Sequence, residues 1–332
     1  MHNISFPNIG INDLKIDRVA FTLFGREIYW YGIIIVSAIM LAIAYVFIRA
    51  RRTEITEDNL YDLSIWLVVA GVLGARAYYV LTSLDKYDSF LDYFKIWEGG
   101  LGFYGGIIGG ALAALIVCKI QKINFPLLAD LVAPTLLLAQ GVGRWGNFFN
   151  AEAYGSVTQW DFFGATFDIT GCERLPWIMY INGNPVQPTF LYECVWNLIG
   201  FALLALLYNK RAFNGQIFLG YMCWYGPARM LIEGFRTDSL YVGSIRISQL
   251  VGLISFLAGG ALMVALLIMK KKGKLPTFLD KDRIMFPKIS EDDTPYEPVF
   301  EGVSTKEESK TEEEEEEEKE VNSEDKDNGK DN

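Results

Sequence analysis

The chain has 332 residues, 51% of them hydrophobic and 14% aromatic, and carries a formal charge of −10. That length would suit one or two soluble domains, but three uncharged apolar runs, Ile28–Ile48, Gly99–Cys118 and Ile247–Met269, exclude a soluble protein. Each is long enough for a helix to cross about 30 Å of hydrocarbon.

In chain order, residues 1–27 precede the first apolar run and read as an outer N-terminal segment, with no cleavable leader. Leu60–Ser83, Phe125–Phe149, Thr189–Tyr208 and Phe213–Phe235 are weaker runs that join the three clean ones. The expected fold is therefore an all-α integral membrane protein with seven transmembrane helices. Between helices four and five, about 152–188, lie a β-leaning patch at Phe162–Thr170 and the turn signal Asn182-Gly183-Asn184-Pro185. A small outer cap is expected there. Residues 28–275 make the membrane domain and 276–332 a cytoplasmic acidic tail. From Asp280 onward there are 21 acidic and 8 basic residues, including Glu312–Glu318. The acidity thus belongs to a segment expected to be disordered, and the rest of the chain is slightly basic.

Basic residues set the orientation. The loops after spans one, three, five and seven hold Arg49, Arg51 and Arg52; Lys119 and Lys122; Lys210 and Arg211; and Lys270, Lys271, Lys272 and Lys274. The opposite loops hold Lys86 and Lys95, Arg174, and Arg246. The positive-inside rule puts the N-terminus outside and the C-terminus in the cytoplasm. Trp30, Trp97, Trp160 and Trp177 then lie near or beyond the outer boundary, where aromatic belts form.

Charged residues inside spans are costly and mark function. Arg76, Arg144 and Arg229 each precede an outer helix end by a few residues, at a similar depth. Glu233 lies one turn after Arg229, Asn147 follows Arg144 on one face, and Glu193, Tyr31 and Tyr104 open other spans from the outside. Asp62 and Asp130 lie near the inner ends. Gly143 and Gly146 flank Arg144 and are expected to leave room for a substrate. An excess of guanidinium charge at headgroup depth suits a phospholipid phosphate. In span three, Gly102, Gly106 and Gly110, with Ala114 next, form one small-residue row, with Gly105 and Gly109 beside it; packing is expected for Gly106, Gly110 and Ala114.

The only histidine is His2, at a terminus expected to be mobile. Ser-His-Asp, Cys-His and His-ligated metal chemistry are thereby excluded. No metal, cofactor or nucleic-acid partner is expected. Arg, Tyr, Asn and Glu can hold a phosphate as a leaving group, and a thiol ionises near pH 8.5 with little help.

The stretch GRWGNFFNAEAYG, Gly143–Gly155, closely resembles the signature G-R-x-G-N-F-x-N-x-E-x-x-G of the bacterial prolipoprotein diacylglyceryl transferases. Trp30-Tyr31-Gly32, Gly74-Ala75-Arg76, Gly99–Gly110, Pro188–Glu193, and Tyr225–Arg229 with Glu233 extend the resemblance over residues 15 to 272. It implies transfer of the diacylglyceryl group of phosphatidylglycerol to the lipobox cysteine of a preprolipoprotein, in the bacterial inner membrane, at a site facing the outer leaflet. It also implies that Arg144 and Arg229 are the principal catalytic and phosphatidylglycerol-binding residues, and that Tyr31, Asn147 and Gly155 are essential. Many members have His-Gly-Gly where this chain has Tyr104-Gly105-Gly106, and that His is a candidate base; here there is no imidazole for the role.

The expected mechanism has Arg144 and Arg229 clamping phosphate, with Arg76, Tyr31, Asn147, Asn150 and Gly155 contributing to the binding site. The thiol proton goes to Glu152 or Glu233, or through Tyr104 to water. A lipid or anionic-solute transporter could use the same arginines. It should show paired repeats, and only the echo of Trp30-Tyr31-Gly32 at Trp224-Tyr225-Gly226 is present.

Overall fold

The computed structural model describes residues 1–282 apart from 85, 86, 88 and 96–98. Lys86, Trp97 and the acidic run Glu312–Glu318 lie outside the described residues. Seven helices follow in order: α1 (Trp30–Ala50), α2 (Glu57–Thr82), α3 (Phe103–Ile120), α4 (Phe125–Asn150), α5 (Thr189–Leu207), α6 (Gln216–Glu233) and α7 (Ile247–Lys271). Each overlies one of the apolar runs. α1, α2, α4, α7, and α5 with the turn that follows it, are long and apolar enough to cross a membrane. α3 and α6 have 18 residues each, about 27 Å at 1.5 Å per residue. Large apolar side chains such as Met40, Leu73, Ile116 and Leu257 are exposed on the helices, as suits a lipid solvent. The chain is a multi-pass helical membrane protein.

Local chemistry explains the helix ends. Thr56 Oγ1 accepts from Asn59 N and Asn59 Oδ1 from Thr56 N, both at 3.2 Å, a capping box that starts α2. Before α6, Gly215 has φ +97° and no side chain to cap with. Asp130 of α4 supplies the cap instead, accepting from Gly215 N at 2.8 Å and Phe218 N at 3.0 Å. Asp62 accepts from Gln121 Nε2 at 2.6 Å, joining α2 to the end of α3. Thr277–Leu279 form a 3-10 turn, and Asn124 Nδ2 donates to Phe278 O at 3.0 Å, so ordered chain continues past 275.

α4 is the central helix, with contacts to α1, α5 and α6; α2 packs on α3 and α6 on α7. Leu127, Leu131 and Leu137 of α4 are buried with Leu60 and Leu63 of α2 and Leu204 of α5. The α2–α3 approach rests on the Gly105 and Gly109 row. A Cβ at Gly105 would stand 2.2 Å from Gly74 O, and one at Gly109 2.3 Å from Ala70 O. Among the described residues, a Cβ at Gly110 would meet nothing within 4 Å. A Cβ at Gly106 of the expected packing row would meet Ala75 Cβ and Gly71 O at 3.6 Å, so that row packs too, but the tightest approach is one residue away, because helix rotation, not spacing, selects the face.

Strands were expected only between helices four and five. Residues before α1 also form them: β1 (His2–Phe6), β2 (Ile11–Ile16), β3 (Val19–Leu23) and β4 (Arg26–Tyr29). His2 is therefore part of a strand, and Arg18 Nε donates to its Nε2 at 3.0 Å. The segment between α4 and α5 holds β5 (Gln159–Phe162), β6 (Ala165–Asp168), β7 (Met179–Ile181) and β8 (Asn184–Val186). Asn182 (φ +50°) and Gly183 (φ +85°) turn β7 into β8, as the Asn-Gly signal predicts. One sheet has the order β2-β1-β7-β8, with Ile4 opposite Ile181. Ile4, Met179, Ile181 and Val186 are buried together with Phe190, which gives the N-terminal hairpin its apolar footing. β9 (Tyr241–Val242) and β10 (Ile245–Arg246) form a short hairpin before α7.

Candidate functional site

Three helix ends meet around one carboxylate. Arg144 lies near the end of α4, Glu193 in the second turn of α5, and Arg229 and Glu233 in the last turns of α6. Arg144 Nη2 is 2.5 Å from Glu193 Oε2, and Arg229 Nη1 is 3.0 Å from Glu193 Oε1. Arg229 Nη2 is 2.6 Å from Glu233 Oε2 and donates to Ser248 Oγ at 3.2 Å. Glu193 and Glu233 are almost fully buried. Among the described residues, neither Glu193 Oε2 nor Glu233 Oε2 accepts an aligned hydrogen bond. Charge rather than directed bonding holds those two oxygens. Tyr104 lies in the first turn of α3, its ring centre 6.2 Å from that of Tyr78 of α2.

The expected excess of positive charge is absent from this network. Arg236 Nε also lies 4.0 Å from Glu233 Oε2 and pairs with Asp238, so three guanidinium groups face three carboxylates. Arg76 stands apart. Its Nε donates to Tyr93 O at 2.8 Å, Nη1 to Gly99 O at 2.5 Å and Gly100 O at 3.1 Å, and Nη2 to Asp92 O at 2.7 Å. Its guanidinium also sits 5.3 Å from the Tyr87 ring centre. Arg76 thus holds the segment between α2 and α3. The structure does not bring it to the Arg144–Arg229 pair.

The signature stretch divides into two parts. Arg144 turns to Glu193, whereas Asn147 and Asn150 donate from Nδ2 to Glu152 Oε1 at 3.2 and 3.1 Å. Ala151 (φ +52°) and Ala153 (φ +57°) are left-handed, a conformation costly for Ala. They fold Glu152 back over the helix end, where its N donates to Asn147 O at 3.0 Å. A cavity of about 880 Å3 opens beside it, lined by Tyr31, Asn150 and Glu152 together with Arg18, Glu27 and apolar residues of α1 such as Ile33 and Val36.

The glycines of the stretch, two of them expected to leave room for a substrate, face other parts of the chain. A Cβ at Gly146 would stand 2.6 Å from Tyr31 Cδ2, and Gly143 faces Ile35 Cδ1 at 3.6 Å. Gly146 makes room for the Tyr31 ring, and so brings α1 against α4. Gly155 joins loops: its N donates to Gln187 O at 2.9 Å and its O accepts from Gln187 N at 2.8 Å. A Cβ there would meet Phe235 Cβ at 2.8 Å and Gln187 Cβ at 2.9 Å. Only glycine lets the chain after α4 lie between the segments before α5 and after α6.

Residues that the sequence did not assign to the site support this arrangement. Glu193 is the one charged residue of α5, and a lone buried charge requires an opposite partner; that was its signal. Arg246 is buried, forms an ion pair with Asp161, and donates through Nη1 to Glu233 O at 2.8 Å. Burial raises the Asp161 carboxyl pKa, but the Thr166 hydroxyl and Arg246 outweigh it and hold the group below its ordinary value. Arg236 grips Asp238 with two bonds of 2.9 Å. Burial likewise opposes ionisation of Asp238, and Arg236 again lowers its pKa below the ordinary value. Gln249 Nε2 donates to Asp161 O at 2.7 Å and Met230 O at 3.2 Å. These contacts pin the β5–β6 hairpin to the end of α6.

Residues 18–265 match the sequence model of the family described as prolipoprotein diacylglyceryl transferase. A phosphatidylglycerol–prolipoprotein diacylglyceryl transferase of Clostridium perfringens is 43% identical over 258 residues, covering 77% of this chain and 95% of that protein. Enzymes of the same name from Enterococcus faecalis and Listeria monocytogenes are 41% and 38% identical, each over 81% of this chain and 96% and 95% of their own. With the signature stretch at the junction of three helices and relatives matched almost end to end, the chain belongs to the prolipoprotein diacylglyceryl transferase family.

Proposed function

We propose that this protein transfers the diacylglyceryl group of phosphatidylglycerol to the thiol of a preprolipoprotein lipobox cysteine. The products are a thioether and sn-glycerol 1-phosphate, in the first step of bacterial lipoprotein maturation. All seven helices cross the cytoplasmic membrane, with the N-terminus and the strands outside and the C-terminus inside. The basic residues that follow α1, α3, α5 and α7 support that orientation.

The observation that carries the reading is the meeting of Arg144 and Arg229, from different helices, at one buried carboxylate. An anion-binding seat of two guanidinium forks suits a lipid phosphate. The thiolate attacks the glyceryl carbon, a C–S bond forms, and the C–O bond to phosphate breaks. Arg144 and Arg229 stabilise the charge on the departing glycerol phosphate. Tyr31, Asn147 and Asn150 border the headgroup, and Gly155 keeps the loops in place. Glu152, Glu233, or water reached through Tyr104, takes the thiol proton.

Purified protein, labelled phosphatidylglycerol and a lipobox peptide test this directly. Label on the cysteine with release of glycerol phosphate is expected. Folded protein that transfers no label would sink the proposal.

A further inference from the structure

We infer that Glu193 is an internal counter-anion that occupies the phosphate seat between Arg144 and Arg229 and weakens its grip on phosphate esters until it is displaced. This rests on the reading of Arg144 and Arg229 as the phosphate clamp.

The geometry is that of a stand-in ligand. The two oxygens of Glu193 face guanidinium groups of different helices, at 2.5 Å from Arg144 and 3.0 Å from Arg229. An oxyanion bound across both arginines would use the same two directions. The carboxylate also keeps two like charges side by side without a substrate, because each is neutralised by Glu193 or Glu233. An arriving phosphate therefore meets a balanced cluster and must replace the Glu193 carboxylate to gain its ion pairs.

Glu193 is suited to give way. Its Oε1 accepts a hydrogen bond from Arg229 Nη1 at 3.0 Å, and its buried Oε2, among the described residues, accepts no aligned hydrogen bond. Asp130 near the other end of α4 shows the contrast: it accepts from two backbone N–H groups and is fixed by them. A carboxylate whose partners are the two arginine side chains can rotate away once another anion takes them over. A seat occupied part of the time by an internal anion binds ligand more weakly by the fraction of time it is free. Return of Glu193 would also help expel the charged product. Glu193 is in this sense a positioning residue that sets affinity, with no step in the bond-making itself.

The test uses the full chain in detergent at low salt, with sn-glycerol 1-phosphate as the probe. Its affinity is read as competitive inhibition against phosphatidylglycerol and as thermal stabilisation of the purified protein. Glu193→Gln keeps the shape and removes the charge. It is expected to bind the probe about tenfold more tightly than the native protein, with a lower kcat because product leaves more slowly. A purely structural role would lower stability without raising affinity. Equal or weaker binding by folded Glu193→Gln overturns the inference. Should that variant fail to fold, Glu193→Asp, one methylene too short to span both arginines, replaces it. Tighter binding supports the inference and equal or weaker binding overturns it. Absence of transfer by the native protein would instead sink the proposed function, whatever the variants bind.

Discussion

Arg76 and the Arg144–Arg229 pair lie in neighbouring parts of one membrane protein, yet they are satisfied in different ways. Arg76 is held by four backbone carbonyl oxygens of the segment after α2. Arg144 and Arg229 are held by carboxylates of α5 and α6. Backbone acceptors are neutral and cannot leave without local unfolding. Carboxylates compete on equal terms with any other anion. The partner of a buried arginine, more than its depth, thus separates a structural cation from one available to a ligand.

The largest test of this contrast is Arg144→Lys. It keeps the charge but loses the fork, and transfer to a lipobox peptide should fall about 10^3-fold with the melting temperature nearly unchanged. Native-like activity would remove Arg144 from the clamp. Arg76→Lys should do the reverse. It strands carbonyls of Asp92, Tyr93, Gly99 and Gly100, costing about 2–3 kcal/mol of stability, while transfer per folded molecule stays close to native. Loss of transfer at unchanged stability would return Arg76 to the site.

Smaller effects probe the α2–α3 pair that carries Arg76 and Tyr104. Gly105→Ala puts a Cβ 2.2 Å from Gly74 O, and unfolding measurements should show a loss of about 1–2 kcal/mol. Tyr104→Phe should retain transfer within about tenfold of native if its hydroxyl is only a relay; abolished transfer with intact folding would make that hydroxyl obligatory. Gly110→Ala, with nothing within 4 Å, should change stability by less than about 0.5 kcal/mol. A large loss there would place the tight face on the other glycine row.

Much of the architecture was legible without coordinates. The seven apolar runs coincide with α1–α7 because helix length and hydropathy are local properties. The Asn182-Gly183 turn was legible because only certain residues tolerate a left-handed pair. The N-terminal strands were not, since β1 pairs with β7 across some 175 residues and its short sequence says nothing of that partner. In the site, Arg144, Arg229 and Glu233 were visible as buried charges. Glu193 was seen at the right end of its helix but not as their common partner.

The sequence by itself determined which segments are helical, how they are ordered, and near which end of each helix the arginines lie. Those follow from composition and from a fixed rise per residue. Only the tertiary structure decided that Arg76 turns to backbone while Arg144 and Arg229 share Glu193, and that Gly146 receives the Tyr31 ring. Depth along a helix is a one-dimensional quantity that spacing reports. Rotation about the helix axis and the identity of the neighbour are set by packing against residues far away in the chain.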